Sequence, residues 1–199
     1  MRKLVYLHGF RSSGQTATGK RLQKHLPDFE VICPDIPLDP VVAMTALRDI
    51  AKGLGPDDLI VGTSMGGMFA LLFKGWKRVI VNPSLHPSEH MRPDIGKRLD
   101  FFTPRRDGMQ SFQMTEKLVK KYEALEARIF DPDFGIFGPL EERDENVLAF
   151  FGTRDPVVNC REEYLRHFSQ FEMFEGEHRL TPESTLHSLV PGIELMAGL

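Results

Sequence analysis

The chain has 199 residues, enough for one core that buries roughly 70% of the surface its unfolded form exposes. Its 25 Lys and Arg against 28 Asp and Glu leave a formal charge of −3, which argues against a nucleic-acid binder with a basic stripe. With 41% apolar residues and no biased segment, a disordered or fibrous chain is excluded, and no apolar run approaches the roughly 18 residues of a membrane span.

Short apolar runs alternate with longer amphipathic stretches. Leu4–Leu7 reads as a first buried strand, ending in Leu7-His8-Gly9-Phe10. A helix over 16–26 follows, with Thr16 or Thr18 as its cap. Gly14 to Arg21 nearly matches a phosphate-binding loop. Arg21 stands where a magnesium-binding hydroxyl belongs, and Gly14 lies too far past the strand, so nucleotide binding is rejected. A strand over Glu30–Cys33 and a helix over 40–54 come next, then a strand over Leu59–Val61 and a helix over 65–74. Arg78–Val81 is the fourth strand. Ser84 to Arg143 breaks the alternation and reads as an insertion over the sheet's edge, either a lid or a packing excursion. Within it, residues 114–128 form a helix with Leu118, Val119, Tyr122 and Leu125 on one face. Val147–Phe151, a helix over 159–168, Phe171–Phe174 and a helix over 184–197 complete the chain. The expectation is one α/β domain over 1–199. It is built on a doubly wound, mainly parallel sheet of about six strands, ordered second, first, third, fourth, fifth, sixth, with the insertion 84–143 after the fourth strand. The four-residue apolar stretch near the N-terminus is too short for a secretory signal. Cys33 and Cys160 have neither disulfide nor metal spacing, so a cytoplasmic location with reduced thiols is expected.

The strongest chemical signal is Gly62-Thr63-Ser64-Met65-Gly66 between a strand and a helix. A nucleophilic serine at a strand end must turn sharply into a helix, and the residues two before and two after it must be small. Gly62 and Gly66 meet this need. A serine hydroxyl needs a base to take its proton and a carboxylate to orient that base. Asp155 follows the fifth strand and His178 the sixth, which puts both at the sheet's carboxyl edge. Asp155-Pro156 is equally an ordinary turn signal. His25, His167 and His187 fall in helix patterns, His86 and His90 in the insertion, and His8 too early in the chain for the base. Backbone N–H groups of Met65 and Phe10 are the expected oxyanion donors, with Gly9 leaving room for the substrate.

Together, Tyr6-Leu7-His8-Gly9-Phe10 with Ser12-Ser13, Gly62-Thr63-Ser64-Met65-Gly66-Gly67, Val81-Asn82-Pro83-Ser84, Gly152-Thr153-Arg154-Asp155 and Gly176-Glu177-His178 resemble the α/β-hydrolase superfamily. Within it the chain looks like the small YqiA-type bacterial esterases. The resemblance implies a sheet lacking the superfamily's first two strands. It also implies a serine esterase or thioesterase that acts on small acyl esters without cofactor or metal, with Ser64 as nucleophile, Asp155 as acid and His178 as base. The insertion 84–143 departs most from the pattern. A catalytically silent scaffold, an acyltransferase and a peptidase remain open alternatives, since pocket shape selects the acyl acceptor. The insertion's phenylalanines at 101, 102, 112, 130, 134 and 137 suit either an apolar acyl group or the insertion's own core.

Overall fold

A computed structural model describes residues 1–199. In chain order it contains β1 (Arg2–Leu7), α1 (Ala17–His25), β2 (Phe29–Ile32), α2 (Pro40–Ala51), β3 (Leu59–Thr63), α3 (Met65–Leu71), β4 (Phe73–Lys74), β5 (Lys77–Val81) and α4 (Pro87–Met91). Then come β6 (Arg98–Asp100), β7 (Ser111–Gln113), α5 (Glu116–Glu126), β8 (Ile136–Phe137), β9 (Val147–Gly152), α6 (Arg161–Tyr164), β10 (Phe171–Phe174), α7 (Pro182–Ser184) and α8 (Val190–Ala197).

Six strands form the main sheet in the order β2-β1-β3-β5-β9-β10, all parallel. This is the order expected from the sequence. Because side chains alternate across a strand, consecutive residues feed two separate cores. Val5, Leu7, Ile60, Ile80 and Ala149 join one core with residues of α2, α3 and α5. Leu4, Tyr6, Leu59, Val61, Val79, Val81, Leu148 and Phe150 join the other with residues of α1 and α8. Both faces are thus covered, which explains runs such as Leu-Val-Tyr-Leu with no polar alternation. The register pairs Leu7 with Gly62, Thr63 with Val81, Val81 with Phe150 and Phe174 with Gly152. The strands therefore end together, and the loops after β1, β3, β5, β9 and β10 meet at one rim. No helix is long and apolar enough to cross a membrane.

Three helices differ from their expected extents. The helix from Met65 stops at Leu71, and the chain turns through Gly75 (φ +76°) after Phe73–Lys74 pairs with Ile136–Phe137 as the short β4–β8 ladder. The 159–168 helix keeps regular geometry only over Arg161–Tyr164, and the following amides close tighter turns such as His167 N–H to Tyr164 O. The C-terminal run from Pro182 to Ala197 contains a π segment at Thr185–Leu189 ahead of Pro191, whose missing N–H interrupts the α ladder.

In the 84–143 segment, α4, the antiparallel β6–β7 pair and α5 pack down onto the sheet. Leu85, Met91, Leu99, Phe112, Met114, Leu118, Val119, Tyr122 and Leu125 belong to the same core as Val5 and Ile60. Thr115 caps α5 by accepting from Leu118 N–H. Phe112 is buried, Phe101, Phe130 and Phe134 are half-buried against the core, and Phe102 and Phe137 are exposed.

Candidate active site

The loop after β3 carries Ser64 with φ 55° and ψ −125°, a conformation that costs a non-glycine residue about 1–3 kcal/mol. The turn is pinned on both sides. Ser64 N–H donates to Val81 O (3.0 Å), and Ser64 O accepts from Gly67 N–H (2.8 Å) and Ser84 N–H (3.0 Å). A Cβ at Gly62 would strike the Gly66 carbonyl, and one at Gly66 would strike the Leu7 carbonyl. The glycine requirement read from the sequence is therefore a steric one. Gly9 sits beside Ser64, where an added Cβ would lie 3.7 Å from Ser64 Oγ.

The structure brings Ser64, His178 and Asp155 together. His178 Nε2 lies 2.9 Å from Ser64 Oγ, and His178 Nδ1 lies 2.7 Å from Asp155 Oδ2. The imidazole is 15% exposed and the carboxylate 5%. The other carboxylate oxygen, Oδ1, accepts from Val157 N–H (2.8 Å) and Val158 N–H (3.0 Å). The Asp155-Pro156 turn signal and the carboxylate's place beside His178 are thus one feature: the turn holds Asp155 while its second oxygen faces the ring. The acid and base loops are also zipped together. Thr153 N–H donates to Phe174 O and Arg154 N–H to Gly176 O, with an exposed Arg154–Glu175 ion pair outside.

The two expected backbone donors also lie at the rim. Met65 is the first residue of α3, so its N–H has no acceptor within the helix. Phe10 follows Gly9, and its ring meets Phe112 edge-on at 5.8 Å. Phe101 tilts against Phe112 at 5.2 Å. The three rings form one aromatic cluster beside the loop after β1.

The structural roles of two residues were not legible in the sequence. Asn82, directly after β5, is 2% exposed and has φ 43°. Its side-chain amide donates to Glu177 O (3.0 Å) and His178 O (3.2 Å), and its Oδ1 accepts from Gly152 N–H (2.8 Å). One side chain therefore ties the loop bearing His178 to the strand leading to Asp155. In the sequence Asn82 was marked only by its position at the end of a strand, within the Val81-Asn82-Pro83-Ser84 motif. His8 is buried; Ile36 N–H donates to its Nε2 (2.9 Å), so Nδ1 carries the proton and donates to Gly9 O (2.8 Å). Burial pushes His8 down to about 4, so it stays neutral and anchors the Gly9 carbonyl. The non-glycine residues with positive φ are Arg11, Ser64 and Asn82, each in a loop after a strand that ends at this rim.

The remaining candidates lie elsewhere. His86 pairs with Glu163, and His167 stacks on Phe130. Asp35 accepts from Gly14 N–H and Arg106 N–H, away from the triad. In the rejected phosphate loop, the amides of Gly14, Gln15 and Gly19 are taken by Asp35, Ser13 and Thr16. A cleft of about 690 Å³ lies between Asp35, Leu38, Arg105, Arg106, Lys117 and Lys121, and no residue of the triad lines it. No three His, Cys, Asp or Glu side chains are gathered as a metal site would require.

The fold is similar to that of solved α/β hydrolases. The monoacylglycerol lipase of Paleococcus ferrophilus superposes with a TM-score of 0.68 at 17% identity, covering 98% of this chain and 94% of that one. A putative hydrolase from Agrobacterium vitis S4 gives 0.65 at 15% identity, covering 98% and 88%. In sequence, a UPF0227 protein of Shewanella baltica (strain OS155) is 33% identical over 104 residues, a stretch spanning 47% of this chain and 58% of that relative. One from Shewanella sp. (strain ANA-3) is 34% identical over the same shares. The model of the family described as "Uncharacterised protein family (UPF0227)" matches residues 3–186, so the chain, which has the fold of the α/β hydrolases above, belongs to that family.

Proposed function

We propose that the protein is a serine hydrolase of small carboxylic esters or thioesters, working through an acyl-enzyme. The observation that carries this reading is the hydrogen-bonded series Ser64–His178–Asp155 beside two backbone donors. Ser64 Oγ attacks the acyl carbonyl carbon while its proton passes to His178 Nε2. Asp155 holds the Nδ1–H and stabilises the charged ring. The carbonyl oxygen becomes an anion in reach of the Phe10 and Met65 N–H groups, each worth roughly 3 kcal/mol to the transition state. Collapse expels the alcohol or thiol, which takes the proton from His178. Water then gives a proton to Nε2 and attacks the acyl-Ser64 carbonyl; collapse releases the acid, and Ser64 Oγ takes the proton back from His178. None of these steps calls on a cofactor. That a similar fold serves a monoacylglycerol lipase supports an acyl ester as the substrate class.

Hydrolysis of p-nitrophenyl butyrate tests the reading. Ser64→Ala is expected to lower kcat by at least about 10³-fold with unchanged thermal unfolding, and wild-type Ser64 should label with a fluorophosphonate. Unchanged turnover in the variant, or an unlabelled Ser64, would overturn it.

A further inference from the structure

Two guanidinium groups converge at the mouth of this site. Arg11 follows Phe10, one residue beyond Gly9, and Arg179 follows His178 directly. Both lie against the same ring. The guanidinium carbon of Arg11 is 4.2 Å, and that of Arg179 5.0 Å, from the centre of Phe102, which is 56% exposed and comes from the 84–143 segment. Arg11 is held in place, since its Nε–H donates to Asp100 O (2.8 Å) and its carbonyl accepts from Phe102 N–H (2.7 Å). Its terminal nitrogens have no partner in the chain, and Arg179 has no hydrogen bond or ion pair at all. Neither Asp100, whose backbone carbonyl Arg11 holds, nor Glu177, two residues before Arg179, forms an ion pair with either arginine. Arg11 also keeps φ 57°, a strained conformation that glycine would adopt freely.

Two like charges gathered on one ring repel each other. The faces of aromatic rings offset only about 0.5–1 kcal/mol at exposed sites. A carboxylate between the two would relieve the repulsion and match the planar fork of each guanidinium. We propose that Arg11 and Arg179 form a carboxylate-recognition pair, and that the preferred substrate is an ester bearing a free carboxylate near the scissile carbonyl. This rests on the hydrolase reading above and adds a substrate class to it.

The test has two arms, one for each side of the ester. p-Nitrophenyl hydrogen glutarate is compared with its neutral methyl ester for an anion on the acyl side. 4-Carboxyphenyl butyrate is compared with the 4-carboxamidophenyl ester for an anion on the alcohol side. In one arm, the anionic-to-neutral ratio of kcat/KM is expected to fall about tenfold or more in the Arg11→Gln, Arg179→Gln double variant. The Arg179→Gln substitution alone, at an exposed position, should give part of that loss, and 0.5 M salt should compress the wild-type ratio. Ratios unchanged by the substitutions in both arms would overturn the proposal. Calorimetric titration of Ser64→Ala with monomethyl glutarate separates this failure from failure of the hydrolase reading. If no ester is cleaved but the variant binds this monoanion, and the two glutamine substitutions abolish binding, the hydrolase reading falls and the arginine pair stands. Equal binding with and without the arginines sinks the pair even where esters are cleaved.

Discussion

The rim of the sheet and the 84–143 segment are held by different forces. At the rim, side chains bond to backbone groups far away in sequence. Asn82 reaches Glu177, His178 and Gly152, His8 reaches Ile36, and Asp155 is the local exception. The segment is held by buried apolar side chains such as Tyr122, Met114 and Met91, with ion pairs such as Lys121–Asp39 on its surface. Polar bonds at the rim fix orientation, while burial in the segment provides stability. Substitutions in the rim should therefore change turnover more than melting, and those in the segment the reverse.

The largest effect that would sharpen this contrast is expected from Asp155→Asn. It keeps the shape of the side chain but reverses the hydrogen bond to His178, and kcat should fall by roughly 10³–10⁴-fold in ester hydrolysis. An equal loss of stability would blur the division. Tyr122→Ala, in the segment, removes a fully buried ring and a 3.0 Å bond to Leu38 O. It should cost about 3–5 kcal/mol in chemical denaturation while the folded fraction keeps its kcat. A specific loss of kcat there would break the contrast.

His8 brings pH into the comparison. Unfolded, its ring titrates near 6.5; folded, burial pushes it down to about 4. Between these values the unfolded chain binds the extra proton. Stability is thus complete above pH 6.5 and falls by about 3 kcal/mol as pH drops to 4. In His8→Asn, denaturation midpoints measured across that window should fall less steeply. Asn82→Asp keeps an acceptor for Gly152 N–H but loses both donors to the base loop, so kcat should drop about 10- to 100-fold with little change in KM. A lower melting temperature with intact kcat would assign Asn82 to the fold alone. The smallest effect is expected for Lys121→Ala, which breaks a half-exposed pair and should cost under about 1 kcal/mol.

The face of α5 and a threonine cap at 16 or 18, which the structure places at Thr16, were legible because each depends on local pattern, and the order of the six strands followed from the alternation of strands and helices. The three side chains that meet at the rim were also legible, since each closes a strand in the order Ser, Asp, His. Asn82 and His8 were not, because their partners are backbone carbonyls and amides whose proximity depends on strand packing. The β6–β7 pair was missed because each strand has three residues and one buried side chain, too few to show a period. The 184–197 helix was legible as helical, but its π segment was not, since Pro191 perturbs the turns before it and not its own position. The arginine pair at Phe102 joins three distant stretches of chain, and no spacing rule connects them.

The 114-residue separation between Ser64 and His178 has a consequence for biosynthesis. A chain leaves the ribosome at about 5–20 residues per second, with its N-terminal part first. Ser64 and the loop after β1 therefore emerge while His178, the serine's proposed base, is still unmade. β10 must dock on β9 before the imidazole can reach the hydroxyl, so on the proposed hydrolase reading the nascent polypeptide carries its nucleophile in a dormant form and arms it in the last stage of folding.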